Sequence, residues 1–124
     1  MKKQFDVEEV VGNLKQFTGT AQYARLNKIV VLTDGAVYLA EKAQCFWLFD
    51  LYASHLFAIN GNEEEFTCLK LTKDANSATV EIDDGNGHVL ARQDIEYTDF
   101  PMDAMKLYGC WNGEYWVLML PSEY

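Results

Sequence analysis

The chain has 124 residues and a formal net charge of −9, with 49% apolar, 14% aromatic and 23% charged residues. That length makes one domain over residues 1–124, and the apolar content is too high for a disordered acidic tail. The charge has the wrong sign for a general nucleic-acid binder, whose affinity comes largely from Lys and Arg on phosphates.

Taken in chain order, residues 6–16 predict an amphipathic helix, because Val7, Val10, Val11 and Leu14 fall at i, i+3, i+4 and i+7. Asp6 is its expected N-cap, with Glu9 three residues on. Residues 17–27 read as a connector with a helical turn near Gln22–Arg25, followed by a strand over Lys28–Leu32. Thr33-Asp34-Gly35 then starts a second helix, with Asp34 as N-cap and Val37–Glu41 continuing it. Phe46–Phe57 is apolar around nearly its whole circumference, with Asp50, Ser54 and His55 as its polar positions, the pattern of a buried central helix. Asn60-Gly61-Asn62 ends it.

After Asn62 the period changes to two. Phe66–Thr72 is an expected strand, and Ala78, Val80 and Ile82 alternate with Thr79, Glu81 and Asp83. Asp84-Gly85-Asn86-Gly87 is a hairpin turn that leads into a strand from Val89, with Ile82 facing Val89 and Val80 facing Ala91. Asn112-Gly113, between Lys106–Trp111 and Glu114–Leu120, predicts a two-residue type I′ turn that places Gly109 opposite Trp116, and Pro121 ends the last strand. The expected fold class is α+β: N-terminal helices packed on one face of a C-terminal antiparallel meander of about five strands.

Little in the sequence carries chemistry. Cys45, Cys68 and Cys110 have no CxxC spacing and read as reduced, mostly buried thiols. Lys2 and Lys3 are followed by no apolar segment of signal-peptide type, and the run Cys45–Leu51 is interrupted by Asp50 and too short for a bilayer, so the expected location is cytoplasmic and off the membrane. His55 and His88 stand apart from any metal-ligand spacing, and GxSxG, phosphate-loop and HExxH motifs are absent. Asp83–Gly87 reads as a hairpin turn, not a calcium loop. No metal, cofactor or catalytic residue is expected.

The charge, however, is unevenly laid out. Residues 1–62 hold six acids and six bases, whereas residues 63–124 hold thirteen acids and four bases. Glu81, Asp83, Asp84, Asp94, Glu96, Asp99 and Asp103 fall on outward strand positions or turns. Such a surface keeps a sheet soluble and its edges unpaired, or docks a basic partner, its carboxylates standing in for phosphates. Trp111, Tyr115 and Trp116 lie about the tip of the last hairpin, either as core residues or as a binding patch.

Several segments carry a family resemblance: Leu14–Thr20, Leu32-Thr33-Asp34-Gly35 running into Tyr38–Glu41, Phe46–Asp50, Asp83–Gly87, Tyr97-Thr98-Asp99-Phe100-Pro101 and the terminal Leu120–Tyr124. In that order they resemble DUF6876, a family of small bacterial proteins of unknown function. The resemblance implies an origin in phages, plasmids or other mobile elements and transfers no catalytic or ligand residue. Ala21 and Ala24 depart from the larger side chains the pattern has there. With the charge layout, it leads to the expectation of a non-enzymatic, phage- or mobile-element-encoded inhibitor. That inhibitor would block a basic host protein, such as a CRISPR effector, as a DNA mimic, without itself binding nucleic acid. The alternative is a small-ligand or structural module built on the aromatic hairpin.

Overall fold

In the computed structural model, which describes residues 7–124, three helices and two short strands precede the long strands. Helix α1 (Val7–Leu14) buries Val10 and Leu14, as its spacing predicts; the expected cap Asp6 lies outside the described residues. Two short strands follow, β1 (Ala24–Arg25) and β2 (Val30–Leu32), so the helical turn expected near Gln22–Arg25 is instead an edge strand paired antiparallel to β2.

Helix α2 (Asp34–Lys42) begins at its expected cap, one residue earlier than predicted. The N-cap is Thr33, whose Oγ1 accepts from the Ala36 amide at 3.2 Å, while Asp34 accepts from the Ala21 amide and ties down the connector. The same Thr33 hydroxyl donates to Glu123 at 2.6 Å, and Glu123 also accepts from the Gly35 and Leu120 amides. The C-terminal carboxylate side chain thus satisfies free N–H groups at the start of α2, where the helix dipole favours negative charge.

Helix α3 (Phe46–Leu56) buries Leu48, Phe49, Tyr52, Ala53 and Leu56. It is not enclosed on all sides as its composition suggests: Phe46 and the following Phe57 face outward, 44% and 63% exposed. A helix lying on one face of a single sheet keeps a solvent side whatever its composition.

The sheet is formed by β1, β2, β3 (Phe66–Asp74), β4 (Ser77–Asp83), β5 (Val89–Ile95), β6 (Ala104–Trp111) and β7 (Trp116–Met119), in the order β1-β2-β7-β6-β3-β4-β5. A short 3-10 turn, Pro121–Glu123, follows β7. The expected meander holds for β3-β4-β5, after which β6 returns to the far side of β3. The sheet is mixed because β2 pairs parallel with β7, Val31 beside Val117. This corrects the five-stranded antiparallel expectation. Strand periodicity reports which face is buried, and it carries no information on which distant strand completes the ladder.

Two registers also differ from expectation. Ile82 pairs with Ala91 and Asp83 with Val89, so a bulge at Leu90 shifts the β4–β5 ladder and leaves Val89 54% exposed. The last hairpin pairs Trp111 with Trp116 across a four-residue loop, not a type I′ turn. Asn112 Oδ1 accepts from the Glu114 and Tyr115 amides, and of the loop residues only Gly113 has a positive φ, 98°. Gly109 therefore faces Leu118, and the space above it is filled by Tyr52 of α3 instead of by the indole of Trp116.

All three helices contribute to one core on one side of the sheet, with Thr67, Leu69 and Leu71 of β3, Val80 and Ile82 of β4, Leu107 of β6 and Trp116 and Leu118 of β7.

Candidate functional site

The carboxylates expected along the strands are not a free anionic row. Arg92 lies between Glu81 and Asp94, 3.7 and 3.6 Å away. Asp83 is buried, 5% exposed, against Lys70 at 3.3 Å, and it also accepts from the Gly85 amide. Its expected exposure is corrected: Asp83 lies on the helix-free side of the sheet but is buried there, held by Lys70 and the Gly85 amide. Glu81 thus has its cation opposite and Asp83 has one diagonal to it, pairings typical of neighbouring strands, while Asp94 meets Arg92 along its own strand.

Asp84 holds the β4–β5 turn. It accepts from the Asn86 and His88 amides at 2.8 and 3.2 Å and meets the His88 ring at 2.9 Å. The Asn86 amide first, and then the His88 ring, hold its carboxyl below the ordinary 3.8. A carboxyl depressed in the folded state stabilises above its unfolded pKa and loses that contribution as pH falls through the folded value. A carboxyl-detected NMR titration is therefore expected to place the Asp84 midpoint below 3.8. In Asp84→Asn the Asn86 and His88 amide signals should stop shifting in that acidic window. A midpoint at or above the ordinary value would show that the turn is held otherwise.

Four acids outside these ion pairs, Asp74, Glu96, Asp99 and Asp103, lie about the ends of β3 and β5. The connection from β5 to β6, residues 96–103, is pinned from within. Phe100 and Met102 are buried, Thr98 donates its amide to Asn76 at 2.7 Å, and Lys73 reaches the Asp103 and Phe100 carbonyls through its amide and Nζ. Between these anchors Glu96, Tyr97, Asp99 and Asp103 project into solvent, with Asp74 at the end of β3. Among the described residues no ion pair reaches Asp74, Glu96, Asp99 or Asp103. Lys73 is the cation on this segment, and its Nζ is committed to the Phe100 carbonyl. A shallow groove of about 280 Å³ opens beside it, lined by Trp47, Ile95, Tyr97, Thr98 and Asp99. Trp47 and Tyr97 were missed as site residues by sequence reasoning, since Trp47 reads as core of an apolar helix and Tyr97 as a strand residue.

The aromatic hairpin is spent on internal packing. Trp116 is 1% exposed, which removes it from the candidate surface. Trp111 packs against it in a tilted arrangement, 5.5 Å between centroids, and donates Nε1–H to Asn62. The Tyr115 ring lies 5.0 Å from the Arg25 guanidinium, which also donates to its hydroxyl.

Burial pushes the Cys45 thiol up to about 12 and raises Cys68 and Cys110 as well. His55 bonds Gln93 at 2.9 Å and His88 bonds Asp84, so neither ring is hydrogen-bonded to a thiol. No group of three His, Cys, Asp or Glu side chains among the described residues is placed to hold a metal ion. No described helix is long and apolar enough to cross a membrane.

Comparison with known proteins agrees with the fold and assigns no activity. A crystal structure described as a protein of unknown function from Enterococcus faecalis is similar, with a TM-score of 0.55 at 15% identity, over 100% of this chain and 98% of that one. No curated protein matches the sequence significantly. The family profile described as a family of unknown function, DUF6876, matches residues 8–124, and the chain belongs to that family.

Proposed function

We propose that this protein is a non-enzymatic binding protein whose acidic sheet end, Asp74, Glu96, Asp99 and Asp103, docks a basic partner. The observation that carries the reading is that these four carboxylates share one end of the sheet without an ion pair among the described residues, whereas Glu81, Asp83 and Asp94 are matched by cations. Unmatched charge on a pinned loop keeps its potential for a partner and steers association. A partner that itself handles nucleic acid has the complementary surface, and the carboxylates would then take the place of phosphates. A phage- or plasmid-encoded inhibitor of a CRISPR effector is one such case. The aromatic walls of the adjacent groove suit the apolar stems of Lys and Arg side chains and their cationic ends.

Binding to a panel of purified, guide-loaded CRISPR effectors, measured at low and high salt, tests this. The expected result is affinity that falls about tenfold or more as exposed charge is screened. It should also be lost in the triple variant Glu96→Lys, Asp99→Lys, Asp103→Lys and largely kept in Glu81→Lys, whose carboxylate is already matched. Salt-independent binding, or binding that survives the triple reversal, would remove the acidic end from the interface, and failure to bind any effector would remove that partner class.

A further inference from the structure

The face of the sheet turned away from the helices has its own composition. By register, Phe66 lies beside Cys110, Cys68 beside Tyr108, Tyr108 beside Met119, Cys110 beside Val117 and Val117 beside Val31, all pointing away from the core. These residues form no part of the helix-side core cluster, yet Cys68 and Val117 are 5% and 8% exposed. Phe66, Tyr108 and Tyr124 pack edge to face above them, with centroids 5.0 to 5.6 Å apart. A sheet face left to water is ordinarily polar; across β2, β7 and the adjoining ends of β6 and β3 this one is apolar and aromatic, before Lys70 and Lys106 begin its charged half.

Its charge differs from that of the rest of the molecule. Following the same registers, the face carries Arg25, Lys70, Arg92 and Lys106 against Asp74, Glu81, Asp83 and Asp94, and so nets zero in a chain of −9. Two copies of so acidic a chain repel over most of their surfaces, and this face is where they can meet without adding net charge. It presents both signs, as a self-complementary patch about a two-fold axis requires. Its size is also sufficient. Strands spaced about 4.8 Å and rising about 3.4 Å per residue give a face of roughly 700 Å², close to the roughly 800 Å² that each partner of a stable complex buries.

We propose that the helix-free sheet face is a homodimer interface, two copies packing apolar strip against apolar strip with their charged halves at the rim. Sedimentation velocity and light scattering on the full chain at tens of micromolar are expected to give about twice the 14.2 kDa chain mass. Met119→Arg, at a half-buried position on this face, should raise the dimer dissociation constant about thirtyfold or more. Lys106→Glu, at an exposed position, should weaken the dimer by upsetting the balance of the face. Far-ultraviolet circular dichroism and the melting temperature establish that each variant is folded. A wild-type monomer at these concentrations would overturn the proposal, whether the face is left open or taken by a different protein. So would a dimer of unchanged affinity in folded Met119→Arg and Lys106→Glu.

Discussion

Trp116→Ala is expected to lower the free energy of unfolding by about 3–5 kcal/mol, a large part of the roughly 5–15 kcal/mol that holds such a domain together. The indole is 1% exposed, lies beside Val30 of the parallel strand β2, and is covered by Trp111. Removing it takes away apolar area and leaves a cavity where β2, β7 and β6 meet, and the ladder on both sides fixes the backbone so that it cannot close the gap. Chemical denaturation followed by circular dichroism measures the change. Tyr97→Ala is the control: with the ring 73% exposed, stability should move by no more than about 0.5 kcal/mol. A loss below about 1 kcal/mol for Trp116→Ala would mean that the indole is not a core residue.

Gly109→Ala is expected to cost about 2–4 kcal/mol, for a different reason. A Cβ at this position would lie 2.7 Å from both the Tyr52 hydroxyl and Thr67 Oγ1. Those two atoms are joined at 2.7 Å, and Thr67 passes its own proton to the Gly109 carbonyl at 3.0 Å, so Tyr52 donates to Thr67. All of this is buried, and a hydroxyl pushed out of line leaves an unsatisfied polar group. The phenol, whose pKa burial drives upward, stays neutral and can only donate or accept a hydrogen bond. Tyr52→Phe removes one of the clashing atoms, so Gly109→Ala should be less damaging in that background. Equal costs in both backgrounds would show that the added methyl is accommodated elsewhere.

Much of the local structure was legible because it is written in periodicity. Val10 and Leu14 mark the buried face of α1, Ala78, Val80 and Ile82 that of β4, and the Thr33-Asp34-Gly35 start of α2 was displaced by one residue only. The errors cluster where a residue answers to something far away in the chain. Thr33, not Asp34, caps α2 because Glu123, ninety residues on, fixes its hydroxyl. Gly109 leaves room for Tyr52, not Trp116, because α3 crosses the sheet there. Asp83 reads as an exposed acid, and Lys70 on the neighbouring strand, with the Gly85 amide, holds it buried.

The charge excess shows the same division. By itself, the sequence determined that the second half of the chain carries the whole −9, that the fold is α+β, and which residues of each helix and strand are apolar. Those properties depend on neighbours a few positions apart. Only the tertiary structure decided which acids are neutralised, because Arg92, Lys70 and the strand carboxylates meet through ladder registers that no local pattern encodes. It also decided that Asp74, Glu96, Asp99 and Asp103 come together at one sheet end, and that the helix-free face carries an apolar strip. The parallel pairing of β2 with β7 joins residues about ninety positions apart, and pairing over that distance is selected by the packing of the whole core.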